Sequence, residues 1–299
     1  MMTSGLDGLS GSFVPLVVPF DDGAIDYDAY ARLCDWQITQ GSSGLLVNAT
    51  SGEPTTLTLE ERAKLVETAM NAAAGRRPVC AGTASVSHAE TAALIERFEK
   101  LDVDYVFVVT PFYCKPPQRA LVDFFADVAA RTEKSLLAYH IPGRAAVSLT
   151  ADTLAEIKDR ATNFVGLKNT DDDMALVTDT LVRLGGDFRI FCGMEKASLP
   201  TLAVGGAGLM ISISNVIPDR VARLCRFCAE GDTEGAKNLN KQLAPLFDAI
   251  GYDTAPITTK YMLKRIGMIA KNEHRLPMTT STPALEARLD AVLQVAGLI

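Results

Sequence analysis

Apolar positions fall into two patterns along this chain. Short runs rich in β-branched residues recur at 13–20 (FVPLVVPF), 44–50 (GLLVNAT), 78–84 (PVCAGTA), 104–111 (DYVFVVTP), 135–142 (SLLAYHIP), 163–168 (NFVGLK), 188–193 (FRIFCG) and 208–214 (GLMISIS). They are apolar throughout rather than alternating, as parallel strands covered on both faces are. Between them lie segments with helical spacing. In 59–74 the pattern puts Leu65, Ala69 and Ala72 on one face, and in 88–101 it puts Leu94, Ile95 and Phe98 on one face. Thr58 with Glu61, and Ser87 with Glu90, have the spacing of capping boxes.

The strands recur every roughly 20–35 residues, the length of one βα unit. About eight such units close into a (β/α)8 barrel of about 250 residues. The remainder, PDRVARLCRFCAEG, TEGAKNLNKQLAPLFDAI, TTKYMLKRIGMI and TPALEARLDAVLQVAGL, reads as the last barrel helix followed by a C-terminal helical extension. The predicted class is therefore α/β: a TIM barrel over 1–230 that carries the active site, and a helical domain over 231–299. A doubly wound open sheet is the structural alternative. It calls for a glycine fingerprint after the first strand, and PFDDGAID has none.

Composition narrows the partners. Of 299 residues 48% are hydrophobic and 22% charged, which suits a large packed core and not a disordered chain. A net charge of −7 argues against nucleic acid or a membrane surface, both of which call for a basic face. The six scattered cysteines do not form the framework of a small secreted domain. The start, MMTSGLDGLSGSF, lacks a basic region followed by an apolar one, and no apolar run approaches the roughly 18 residues that span a bilayer. A soluble, cytoplasmic protein is expected.

In such a barrel the chemistry sits where the strands end. Strand two ends in Asn48-Ala49-Thr50-Ser51-Gly52-Glu53, strand four in Thr110-Pro111-Phe112-Tyr113, strand five in Tyr139-His140-Ile141-Pro142-Gly143-Arg144, strand six in Lys168 and strand seven in Cys192-Gly193. Strands five and six are sequential, so Tyr139 and Lys168 can be neighbours at the roughly 4.8 Å strand spacing. A lysine among apolar strand residues is desolvated, which disfavours the ammonium form. A neutral amine attacks carbonyls and forms Schiff bases. A tyrosine hydroxyl can shuttle the protons, and the Thr50-Ser51-Gly52 turn can hold a carboxylate with its backbone N–H groups.

Taken singly, each residue has a plainer reading. Lys168 could pair with the acids of TDDDM, Tyr139 could be a core aromatic, Arg144 a surface ion pair, and ATSGE a turn into a helix. Their convergence on one rim points to chemistry. No G-x-G-x-x-G, P-loop or H-E-x-x-H is present. Cys225 and Cys228 form a lone C-x-x-C in a helical pattern, and with three histidines a metal site is not expected.

The stretches ATSGEPTTLTLEER, VTPFYCKP, YHIPGRAAV, GLKNT, CGMEK, GGAGLMISISNVIPD and APITTKYMLKRIGM, in this order and spacing, resemble the dihydrodipicolinate synthase family, in the superfamily that includes N-acetylneuraminate lyase. The resemblance covers nearly the whole chain. It implies a barrel with C-terminal helices, assembled as a homotetramer of tight dimers. It implies that Lys168 forms an imine with pyruvate and that Tyr139 shuttles protons. Thr50 would link Tyr139 to Tyr113, which a neighbouring subunit would share across the dimer interface. Thr50 and Ser51 would hold the pyruvate carboxylate, Arg144 the carboxylate of aspartate semialdehyde, and Gly193 and Met210 would complete the substrate site. The enamine would attack the aldehyde, and the product would cyclise to 4-hydroxytetrahydrodipicolinate, on the route to lysine. No metal or organic cofactor is implied, since the lysine is itself the electron sink.

This chain departs from the family's usual residues at Ser51, at His140 after the tyrosine, at Asn169-Thr170 after the lysine, and at Cys192-Gly193-Met194-Glu195. Strand alternation turns His140 away from Tyr139. The last two changes leave open another pyruvate or 2-keto-acid aldolase, dehydratase or deaminase of the superfamily. A non-catalytic binding protein would call for a broken site, and Lys168, Tyr139, Thr50 and Tyr113 are all present. At positions that bind lysine in feedback-regulated relatives, Leu59 or Arg62, Val86 and Phe112 stand here and only Glu90 is kept, so weak or no inhibition by lysine is expected.

Overall fold

The computed structural model describes residue 6 and residues 8–299; the N-terminal stretch read above for a leader lies partly outside them. Eight parallel strands form a closed barrel: β1 (Gly11–Pro15), β2 (Gly44–Val47), β3 (Val79–Gly82), β4 (Tyr105–Val109), β5 (Ser135–His140), β6 (Phe164–Asn169), β7 (Arg189–Cys192) and β8 (Gly208–Leu209). The connecting helices are α1 (Tyr27–Thr39), α2 (Leu59–Ala73), α3 (His88–Lys100), α4 (Gln118–Ala129), α5 (Ala151–Arg160), α6 (Met174–Leu184), α7 (Ser198–Ala203) and α8 (Pro218–Ala229). Three more follow: α9 (Thr233–Ile250), α10 (Ile257–Arg265) and α11 (Pro283–Val295). Leu239, Leu243, Leu246, Leu263 and Leu289 of these helices join the same buried cluster that lies between strands and barrel helices.

The strands carry apolar side chains on both faces, which is why they read as unbroken runs. Phe13, Leu46, Cys80, Phe107, Leu137, Val165 and Phe191 fill the barrel interior. Val14, Leu45, Val106, Leu136, Ala138, Phe164 and Leu167 face the helices. Two strands are shorter than the sequence suggests. The run 208–214 pairs only over Gly208–Leu209, and Ser212–Asn215 turns into a 3-10 helix. A side chain at Gly208 would meet the Gly11 carbonyl at 2.0 Å, so the closing seam takes only glycine there. The first run pairs over Gly11–Pro15, and its tail forms a two-residue hairpin, Phe20–Asp21 with Ala24–Ile25.

The capping box predicted at α2 is complete: Glu61 N–H donates to Thr58 Oγ1, and Thr58 N–H to Glu61 Oε2. At α3 it is half made. Ser87 accepts from Glu90 N–H, but the Glu90 carboxylate accepts the Ser85 hydroxyl at 2.7 Å instead of turning back to the cap.

The β5–β6 pairing slips by one residue. Leu136 faces Phe164 and Leu137 faces Gly166, so Val165 is extra. Beyond the slip the register places Tyr139 beside Lys168 and His140 beside Asn169. Counting strictly by twos from the outward Phe164 would turn residue 168 outward too. The bulge inverts the count, leaves Leu167 facing the helices, and turns Lys168 into the barrel.

Candidate active site

The Lys168 side chain turns into the barrel beside two aromatic rings. Its Nζ lies 4.3 Å from the Tyr139 ring centroid and 6.0 Å from that of Phe107, and the residue is 4% exposed. The two rings stack with centroids 4.9 Å apart. The Tyr139 hydroxyl reaches the Thr50 hydroxyl at 3.0 Å. Thr50 begins a single 3-10 turn, Thr50–Gly52, directly after β2. Amine, phenol and alcohol thus come from three strand ends that sequence places far apart.

Thr50 and Tyr139 open on a cavity of about 250 Å³, with Phe107 and Arg144 also among its walls; the buried Lys168 lies against Tyr139 and is not itself a wall residue. Arg144 is exposed at the mouth, where its Nη2 donates to the Ala255 carbonyl at 3.4 Å. Ser51 is buried behind Thr50, and its hydroxyl pairs with that of Ser212 at 3.2 Å. Gly193 packs against Lys168. A side chain there would meet Thr170 Oγ1 at 2.0 Å and Lys168 Cε at 2.7 Å. Met210 is fully buried in the barrel interior and does not line the cavity.

Tyr113 is the outlier among the expected residues. It is 91% exposed with φ +69°, on a loop that leaves the barrel after β4, and it does not line the cavity. Within one copy of the chain, the Thr50 hydroxyl meets that of Tyr139 and Tyr113 stands apart from both.

Two positions behind the site explain departures from the expected pattern. His140 and Asn169 both point away from the barrel interior, and His140 Nδ1 pairs with Asn169 Oδ1 at 2.8 Å. Burial holds the imidazole below its ordinary range. Glu195 accepts the N–H groups of Ser212 at 2.8 Å and of Ile213 at 3.2 Å, and so fixes the turn after β8. Burial pushes the Glu195 carboxyl up, against those N–H groups and the nearby Lys168.

Sequence reasoning missed three contributors. Phe107 is an interior strand residue with no polar atom to draw notice. Ala255, Pro256, Pro277 and Met278 wall the cavity from the C-terminal segment. Glu53, also a wall residue, is buried against Lys260 at 2.9 Å, a pairing across 207 residues of chain that no local pattern shows. Asp21, Asp22 and Glu273 form the one group of three acids among the described residues whose carboxylates lie within 4.8 Å of one another, and Lys271 pairs with both aspartates. Among those residues no helix is long and apolar enough to cross a membrane.

A closed parallel barrel with a lysine at the end of its sixth strand defines a class of barrel proteins, and comparison places the chain within it. A model of the dihydrodipicolinate synthetase family matches residues 8–296. The chain is 37% identical over 290 residues to a 4-hydroxy-tetrahydrodipicolinate synthase of Thermus thermophilus, covering 97% of each. It is 35% identical over 284 residues to the enzyme of that name from Aquifex aeolicus, covering 95% of this chain and 96% of the other. The crystal structure of dihydrodipicolinate synthase from Aquifex aeolicus superposes with a TM-score of 0.95 at 34% identity, over 97% of this chain and 98% of that one. The chain belongs to the dihydrodipicolinate synthetase family.

Proposed function

We propose that the protein is a Schiff-base lyase that condenses pyruvate with L-aspartate 4-semialdehyde to give 4-hydroxytetrahydrodipicolinate. The observation that carries this reading is the Lys168–Tyr139–Thr50 group, an amine over an aromatic face whose hydroxyl is already paired to a second hydroxyl. Family membership and the names of the relatives support the same activity.

The steps follow from the geometry. The Lys168 amine adds to the C2 carbonyl of pyruvate, and the oxygen leaves as water after taking protons through Tyr139. The imine acidifies C3, which gives its proton to the Tyr139–Thr50 pair and leaves an enamine. The enamine carbon attacks the aldehyde carbon, whose oxygen takes the proton back. The semialdehyde's own amine then displaces Lys168 from C2 and closes the ring. Thr50 and Ser51 hold the pyruvate carboxylate, and Arg144 at the mouth takes the carboxylate of the second substrate. Gly193 leaves room for Lys168, and Met210 supports the floor beneath it.

The assembly reading goes with the activity. Tyr113, projecting from its own barrel, completes the relay of a neighbouring subunit in a dimer, and two such dimers form a tetramer. Residues 1–230 carry the reacting side chains, and 231–299 buttress the turn after β2 and wall part of the cavity. The protein works in the cytoplasm.

One observation favours a second reading. Thr170 Oγ1 is buried beside Lys168 and Gly193 and has no protein partner. A hydroxylated aldehyde would satisfy it, as in another 2-keto-acid aldolase of the superfamily. The test has two parts. Borohydride reduction with pyruvate should leave an adduct on Lys168 by peptide mass spectrometry. A coupled assay should then show turnover with aspartate semialdehyde. An adduct without that turnover would favour the second reading, and no adduct on folded protein would overturn the synthase reading.

A further inference from the structure

The turn that carries Thr50 and Ser51 is held from behind by helix α10, through two tethers. The first is an ion pair. Lys260 Nζ donates to Glu53 Oε1 at 2.9 Å, and the two side chains are 0% and 1% exposed. The same ammonium donates to the Glu273 carbonyl and lies 4.3 Å from the Phe20 ring centroid. His274 Nδ1 stands 3.1 Å from the same carboxylate oxygen. The second tether is a row of hydroxyls. Ser51 Oγ meets Ser212 Oγ at 3.2 Å, and Ser212 Oγ meets Thr259 Oγ1 at 3.1 Å. Thr259 and Lys260 are consecutive on α10, and Ser51 and Glu53 flank Gly52.

Glu53 needs such a hold. Its φ is +52°, a left-handed conformation that side-chain-bearing residues keep only where their surroundings fix it. Its N–H closes the 3-10 turn on the Thr50 carbonyl at 3.1 Å, and its carbonyl accepts the Thr56 N–H at 2.9 Å to start the next turn. Any rotation at Glu53 is therefore passed to the backbone of Thr50 and Ser51. Apolar side chains of similar volume often support a fold as well as a buried ion pair does. What they cannot do is fix the direction of a carboxylate, and with it the conformation of the residue that bears it.

We propose that Thr259 and Lys260 are positioning residues for the 2-oxo-acid carboxylate: through Ser212 and Glu53 they hold the Thr50–Ser51 turn in the shape that receives pyruvate. The inference rests on the pyruvate reading given above. It makes α10 part of the substrate site although none of its side chains touches substrate.

The test replaces both charges at once, so that no unpaired ion is left buried. In Glu53→Met with Lys260→Met, KM for pyruvate should rise about tenfold while kcat stays within about threefold and the melting temperature stays near wild type. Thr259→Val, which cuts the other tether, should raise KM for pyruvate in the same sense by a smaller factor. Lys260→Arg, which keeps the charge, should lie between wild type and the double variant. A double variant that folds with wild-type KM overturns the proposal. If that variant does not fold, an unchanged KM in Thr259→Val overturns it. Borohydride labelling of Lys168 in the wild type separates the two levels. Labelled wild type with unchanged variants sinks this inference alone, and unlabelled wild type sinks the pyruvate reading beneath it.

Discussion

The hydroxyls of Thr50 and Tyr139 stand 3.0 Å apart and join the turn after β2 to the inward face of β5. Tyr139 also lies under the Lys168 amine, at 4.3 Å from ring centroid to Nζ. One side chain thus meets both the Lys168 amine and the Thr50 hydroxyl, the proposed nucleophile and proton relay. Tyr139→Phe keeps the aromatic face and removes only the hydroxyl. It should lower kcat by about 10²–10⁴, the usual worth of a positioned acid–base group. Borohydride should still trap pyruvate on Lys168, more slowly. Wild-type turnover in Tyr139→Phe would assign proton transfer elsewhere.

Gly193 tests how closely Lys168, the proposed nucleophile, is packed. An alanine methyl would sit 2.0 Å from Thr170 Oγ1 and 2.7 Å from Lys168 Cε, so something must shift. Gly193→Ala should cost about 10²-fold in kcat/KM, the scale of a misplacement of about 1 Å. The fold should survive, and circular dichroism and activity measured together would show the two effects apart.

Tyr113 should matter only in an assembly. Tyr113→Phe should reduce turnover at concentrations where sedimentation shows subunits associated. Wild-type activity per subunit should fall as dilution separates them. Full specific activity in a demonstrated monomer would remove Tyr113 from the relay.

The buried imidazole of His140 makes stability depend on pH. Burial holds it below the ordinary 6.5, against the opposing pull of Asn169, Asp171 and Asp173. Below that pH the unfolded chain takes up a proton that the folded chain resists. Stability tied to the neutral ring is therefore present at neutral pH and lost as the solution becomes acidic. Between about pH 7 and pH 5, the melting temperature of wild type should fall more steeply than that of His140→Gln. Parallel curves would show that the ring does not contribute.

Lysine should inhibit weakly or not at all. Glu90, the one acidic residue kept at the expected regulatory position, already accepts the Ser85 hydroxyl at 2.7 Å. Inhibition at submillimolar lysine would overturn this expectation.

The barrel was legible because its strands are short, apolar and evenly spaced, and because Lys168, Tyr139 and Thr50 carry their chemistry at strand ends. Three features were not legible, each for a physical reason. The last strand looks seven residues long from its apolar content (208–214), but ladder pairing stops at Leu209, where Glu195 draws the following N–H groups into a turn. The Glu53–Lys260 pair depends on contact across 207 residues, and neither residue differs in its local pattern from an ordinary surface charge. The exposure of Tyr113 on its own barrel comes from the positive-φ loop after β4, which no local apolar pattern shows; the expected sharing with a neighbouring subunit is a matter of assembly.

The slip at Val165 has a consequence for how this gene can change. Absorbing the extra residue in the slip is what keeps the lysine on the barrel interior rather than the helix layer. Loss of the codon for Val165 would close the slip and still leave Leu137 opposite Gly166 and Lys168 opposite Tyr139, facing inward. Gain of one codon between 166 and 168 would instead turn Lys168 back to the helix layer, so a lesion that looks minor on paper would take the amine out of the barrel.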